Sequence, residues 1–94
     1  MNISTTLKDG LANLKVTTDD HTISFKVMAS ESTLGKKWRY YVWVETDDGT
    51  DTVLSSQCLD KSIGMKQVDY TDPVLGQIVV IVDRDFKEVT VILP

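Results

Sequence analysis

One cysteine and one histidine are all this chain offers of the two residue types that most often hold zinc or activate a nucleophile. A lone Cys58 excludes an intrachain disulfide and leaves any Cys-based zinc site short of ligands. It fits a reducing compartment or indifference to redox, and a cytoplasmic location is expected. A single His21 likewise gives too few ligands for a His-based zinc or iron centre. Nucleophilic catalysis needs a base beside the nucleophile and a third group to orient that base. The residues around Cys58, Ser55-Ser56-Gln57-Cys58-Leu59-Asp60, match neither a nucleophile elbow nor a cysteine-protease signature. His21 and Cys58 could meet in space. The simpler expectation makes His21 a surface residue at a strand start and Cys58 a small hydrophobe in or near the core.

Glycine is sparse too. The five glycines are scattered, so there is no phosphate-cradling loop and no dinucleotide fingerprint. Basic charge is in deficit: ten Lys and Arg against fourteen Asp and Glu give a net charge of −4 and a pI near 4.7. Binding through a phosphate backbone needs the opposite balance. Lys36, Lys37 and Arg39 do sit beside Trp38, Tyr40 and Tyr41, and such interleaving suits base stacking. Three cations in an acidic chain are few, and tryptophan and tyrosine also dominate cores and protein interfaces. There is no apolar run long enough to cross a membrane as a helix, and no basic stretch leading into an apolar one at the N-terminus. Asn2-Ile3-Ser4 matches a glycosylation acceptor, which a cytosolic or bacterial-type chain would not have modified. The expectations are therefore no enzyme, no cofactor, no nucleic acid, no membrane and no small-molecule substrate.

What is abundant is β-branched and aromatic sequence. Ninety-four residues make one domain, 1–94, with a single modest core. Ile78 to Val82 are five β-branched residues in succession, stiff at χ1 and suited to a pleated backbone. They read as a central strand buried on both faces. Asp83-Arg84-Asp85 breaks the run, and Val89, Val91 and Leu93 resume it with period two, which predicts a hairpin with its tip near residues 84–87. His21 to Ser30 alternates Ile23, Phe25, Val27, Ala29 with polar residues, a half-buried strand. Glu31 to Lys37 reads as a loop. Met65 to Tyr70 alternates weakly and reads as an edge strand between a turn at 60–64 and another at Thr71-Asp72-Pro73. Leu7, Leu11 and Leu14 are spaced for one face of a short helix over residues 4–15. The competing reading makes Asp9-Gly10 a type I′ turn that pairs Leu7 with Ala12 and Ile3 with Val16. The shared leucine face favours the helix. The fold class is then mainly β, a small antiparallel sandwich or open barrel of five to six strands, with α+β as the alternative.

Trp38 to Leu59 holds both tryptophans and two of the three tyrosines around a strong Asp48-Gly49 hairpin signal. With those two as the turn, paired positions sum to 97. Val44 then faces Val53, Val42 faces Ser55 and Trp43 meets Leu54. Trp38, Tyr40, Val42, Val44 and Val53 share one face, and Tyr41, Trp43 and Leu54 the other. Large apolar groups on both faces imply either a strand sandwiched in the core or a face covered by something else. Trp38, Tyr41, Trp43 and Leu54 are the candidate protein-interaction residues. Glu45, Asp47, Asp48 and Asp51, with Asp83 and Asp85 of the second tip and Asp19 and Asp20 of a third turn, are candidates for an acidic patch. That patch would dock on a basic protein surface or mimic nucleic-acid phosphates. The spacing Asp47-Asp48-Gly49-Thr50-Asp51 lacks the alternate-position ligands of an EF-hand, so these acids read as a solvated tip.

The expected function is a non-enzymatic structural or protein-interaction domain that acts through an apolar, aromatic sheet face and self-associates. The alternative is a small acidic inhibitor of a basic site. Short, acidic, self-contained β chains of this sort are often encoded by viruses and phages, which would place it in the host cytoplasm or the virion.

Overall fold

Period-two alternation governs nearly the whole chain. The computed structural model describes residues 1–18, 20–31, 37–60, 66–83 and 85–94, with the side chains of Glu31, Lys37 and 57–60 excepted. Within them the strands are β1 (Asn2–Thr6), β2 (Leu11–Thr18), β3 (His21–Glu31), β4 (Lys37–Thr46), β5 (Asp51–Asp60), β6 (Lys66–Asp72), β7 (Gly76–Val82) and β8 (Glu88–Ile92). There is no helix among the described residues. Of the expected loop Glu31 to Lys37, the two ends belong to β3 and β4 and 32–36 lie outside the described residues; of the expected turn at 60–64, Asp60 belongs to β5 and 61–64 lie outside them.

The strands form two four-stranded antiparallel sheets, β1-β8-β7-β6 and β2-β3-β4-β5. Every hydrogen-bonded neighbour is also the neighbour in sequence, except that β1 pairs with β8. The chain passes from one sheet to the other at β1–β2 and again at β5–β6. The result is a small antiparallel sandwich that is also a barrel opened along two seams, as the alternation predicts. Leu7 N–H donates to Lys87 O at 2.8 Å, and Leu93 N–H to Met1 O at 2.8 Å, extending the β1–β8 ladder at both ends.

The N-terminal helix is not formed. Asp9 (φ 52°) and Gly10 (φ 77°) are both left-handed, the backbone of a type I′ turn. Lys8 and Leu11 exchange hydrogen bonds of 2.8 and 3.0 Å across it. Gly10 is required twice over, because a Cβ there would lie 2.4 Å from Ala29 O. The turn matches the competing reading, but the pairing does not run on from it. Beyond Lys8–Leu11 the strands part, β1 to β8 and β2 to β3. A helix would have left the β8 edge unpaired.

The count of five to six strands is likewise exceeded. The β7–β8 hairpin forms as expected, with Val82 paired to Val89. β7 is central in its sheet but buried on one face only. Ile78, Val80 and Val82 are sealed, while Val79 and Ile81 are half-buried on the outer face. At the β4–β5 turn, Thr46 N–H donates to Thr50 O at 3.0 Å and Gly49 alone is left-handed. That is a three-residue loop ending in a glycine bulge, not a two-residue I′ turn. It shifts the register by one, so Val44 faces Thr52 and Trp43 faces Val53. Leu54 is then the extra residue that restores Val42 opposite Ser55.

The core lies between the sheets. Ile23, Phe25, Val27, Val42 and Val44 from one meet Ile78, Val80, Val82, Val89 and Val91 from the other, all essentially inaccessible. The tip of the β7–β8 hairpin folds back to close one end. Phe86 stacks on Trp38 (centroids 5.0 Å, planes 14° apart) and tilts against Tyr40 at 5.9 Å. Lys66 Nζ lies 4.2 Å from the centre of its ring.

The Tyr40 hydroxyl is buried there without a hydrogen-bond partner among the described residues, and burial pushes its pKa up to about 12. A buried donor left unsatisfied costs roughly 1–3 kcal/mol. Tyr40→Phe keeps the ring and removes the orphan, so chemical denaturation should show a stability gain of about 1 kcal/mol. A loss of that size would mean the hydroxyl has a partner.

Candidate functional site

Strand alternation gives the β2-β3-β4-β5 sheet an outward face as ordered as its inward one. Residues paired across the strands form rows. Leu11, Met28, Tyr41 and Ser56 make one, and Asn13, Lys26, Trp43 and Val53 the next. Lys15, Ser24, Glu45 and Asp51 make the third. The first two rows are apolar out of proportion to their setting. Leu11 is 53% exposed, Met28 36% and Val53 67%, and Tyr41 and Trp43 are half-buried. Isolated apolar residues on a surface are ordinary, whereas a large contiguous group is uncommon on a monomer. An open groove of about 360 Å³ runs along it between Leu11, Asn13, Lys26 and Trp43. Lys26 Nζ, at its rim, pairs with Glu45 at 2.9 Å.

Of the four expected interaction residues, the structure brings together two. Tyr41 and Trp43 are neighbours on this outer face. Trp38 sits on the inner face, stacked on Phe86, and Leu54 packs against the core. The bulge explains Leu54: the one-residue slip turns it inward and puts Val53 in its place beside Trp43. Leu11, Met28 and Val53 belong to the face and were not expected there. Period two in Leu11-Ala12-Asn13 carried that signal for Leu11, but the helical spacing of the leucines masked it.

The second cluster is polar and sits at the end of the sandwich opposite Phe86. His21 opens β3 and Asp72 ends β6, so the two come from different sheets. His21 Nε2–H donates to Asp72 Oδ1 at 3.0 Å, and Nδ1 lies 3.4 Å from Asp47 Oδ1. Asp72 is 2% exposed and has further partners. Tyr70 OH donates to Oδ1 at 3.3 Å, and the Val74 and Leu75 amides donate to Oδ2 at 2.9 Å each. Asp47 is itself held by the Thr22 amide at 3.2 Å. Hydrogen bonding to Asp72 raises the His21 pKa, with burial opposing and both carboxylates adding. Burial pushes the Asp72 carboxyl up, but the His21 bond and the two amides outweigh it and hold it below the usual range.

Both imidazole nitrogens thus face carboxylates. The cluster ties one sheet to the other. The exposed strand-start histidine of the sequence reading is replaced by a half-buried tie. Cys58 is no neighbour of it. The Cys58 backbone pairs with Arg39, and Arg39 with Ser30, nine residues along β3 from His21 or roughly 30 Å. Among the described residues no three His, Cys, Asp or Glu side chains are grouped to hold a metal ion.

The acidic patch is divided in the same way. Glu45, Asp47, Asp48 and Asp51 surround the β4–β5 turn at the His21 end. Asp83 and Asp85 belong to the tip that carries Phe86, beside Trp38 at the start of β4. The length of β4, roughly 26 Å from Trp38 to Thr46, separates the two groups. Several of these acids serve their turns. Asp48 accepts from the Thr46 hydroxyl and, at 3.0 Å, from the Thr50 amide, and Asp83 Oδ1 accepts from the Lys87 amide at 2.7 Å. Asp20 is exposed near the first group, and Asp19 lies outside the described residues.

No helix among the described residues is long and apolar enough to cross a membrane. No family model, curated protein or solved structure matches this chain.

Proposed function

We propose that this chain is a non-enzymatic protein-interaction module that works through the outer face of the β2-β3-β4-β5 sheet and assembles by covering it. The observation that supports this reading is the contiguity of Leu11, Met28, Tyr41, Trp43 and Val53 on one surface. Aromatic and methionine side chains are enriched in the buried centre of protein interfaces, and tryptophan and tyrosine carry a large share of binding energy there. The polar row of Lys15, Glu45 and Asp51 along one border supplies the rim such an interface has.

The acidic-inhibitor reading draws less support, because the acids of the two tips are a strand length apart. It keeps Glu45, Asp47, Asp48 and Asp51, with Asp20 near them, as one surface.

Trp43→Ala tests the proposal. The side chain is outside the core, so unfolding free energy should change by less than about 1 kcal/mol, while association measured by sedimentation should be lost. A loss of about 3 kcal/mol or more in stability would make Trp43 a core residue and remove the face.

A further inference from the structure

The rows of this face are self-complementary, and we infer that its occupant is a second copy of the chain, related by a two-fold axis parallel to the strands between β3 and β4. This rests on the reading above and goes on to name the partner and its arrangement. A rotation about that axis lays β2 of one copy over β5 of the other and leaves each row facing itself reversed. In the row Lys15, Ser24, Glu45, Asp51, each Lys15 then faces the other copy's Asp51. In the row Asn13, Lys26, Trp43, Val53, each Lys26 lies over the opposite Trp43, a cation–π arrangement. In the row Leu11, Met28, Tyr41, Ser56, each Met28 meets the opposite Tyr41, a sulfur–aromatic contact. All three pairings follow from the observed register.

The other in-plane axis, perpendicular to the strands, does the reverse. It sets the charged row against the apolar one, with Lys15 on Leu11 and Glu45 on Tyr41, and buries charge without a partner. Sheets packed face to face keep their strands within about 30°, which both axes satisfy, so the pairing of the rows decides between them. The face is small. Four strands about 4.8 Å apart and three rows about 7 Å apart give roughly 19 by 20 Å. Ser30 and Arg39 extend it by part of a fourth row. That is the low end for a specific interface, so the dimer is expected to be weak and to form at micromolar concentrations or above.

The experiment is sedimentation equilibrium of the full chain and three variants from micromolar to millimolar concentration, with circular dichroism to verify folding. Lys15→Asp sets two Asp–Asp pairs across the interface, since each substitution occurs twice. It should weaken the dimer about tenfold. Combining Lys15→Asp with Asp51→Lys reverses both charges and should restore it. Trp43→Ala should abolish it. If Trp43→Ala abolishes association but the charge reversal fails to rescue, the two-fold arrangement is overturned and the face survives. A parent chain that stays monomeric throughout overturns the second copy as occupant. Unchanged association in a folded Trp43→Ala variant overturns the face, and the proposed function with it.

Discussion

Phe86→Ala should cost about 3–5 kcal/mol, although the residue lies in a hairpin tip between Asp85 and Lys87. Phe86 is 5% exposed and touches Trp38, Tyr40 and Lys66 at once. Truncation leaves a cavity where the sheets would otherwise be open to water. Its indole partner Trp38 loses a stacked face, and the Lys66 ammonium, 4.2 Å from the ring centre, loses an aromatic surface that attracts it. The backbone offers a sharper check. Phe86 has φ 54°, a conformation that costs a side-chain-bearing residue about 1–2 kcal/mol. Glycine is free of that cost. Phe86→Gly should therefore be at least as stable as Phe86→Ala, the opposite of the usual order in a strand. Urea denaturation of the three proteins decides the matter. A loss under about 1 kcal/mol in Phe86→Ala would mean that the tip does not plug the core.

Nothing in Asp83-Arg84-Asp85-Phe86-Lys87 marks that residue beforehand. The stretch reads as a polar tip, and it does form the tip of the expected hairpin. Its fold-back depends on Trp38, which is distant in sequence. This is the general division between what could and could not be read. β3 was legible because Ile23, Phe25, Val27 and Ala29 alternate, and the β7–β8 hairpin because two apolar runs flank a charged break. Each of those signals is local. The β1–β8 pairing joins residues about ninety positions apart and leaves no local trace, so Leu7, Leu11 and Leu14 were free to suggest a helix. In the structure Leu14 points inward, Leu11 outward, and Leu7 follows β1 to the core margin.

The candidate face was half legible. Tyr41 and Trp43 alternate with Tyr40 and Val42, which put the two on one shared face, but large apolar groups on both faces did not say which face is the core. The bulge at Leu54 was hidden, because Asp48-Gly49 signals a hairpin without fixing whether its loop has two residues or three. One residue decides which side chain of Val53 and Leu54 faces water. The His21 cluster was not legible at all. Asp72 precedes a proline and holds the following turn through Oδ2, although Thr71 and Asp72 themselves end β6 and the turn falls at 73–75 rather than at Thr71-Asp72-Pro73. Its second oxygen reaches another sheet, and only the folded chain brings His21 there.

Stability should therefore depend on pH from both sides, and Asp72→Ala should remove most of that dependence. The sign follows from the two shifts. His21 is raised above 6.5 in the folded chain, so its contribution is complete below 6.5 and fades as pH rises through the folded value. Asp72 is lowered below 3.8, so its contribution is complete above 3.8 and fades as pH falls through the folded value. The plateau lies between, from about pH 4 to pH 6.5, with the alkaline decline belonging to His21 and the acid decline to Asp72. Asp72→Ala strips the imidazole, the Tyr70 hydroxyl and two amides of their shared acceptor. Breaking a buried pair by removing one partner costs about 3–5 kcal/mol, the loss expected here near pH 5. His21→Gln keeps a donor toward Asp72 but does not titrate, so it should flatten the alkaline side and, lacking the imidazolium's charge, reduce the acid side only in part. Thermal melts from pH 3 to pH 9 on the parent and both variants read these limbs separately. If the alkaline decline survives in His21→Gln, the tie between the sheets is not a titrating one.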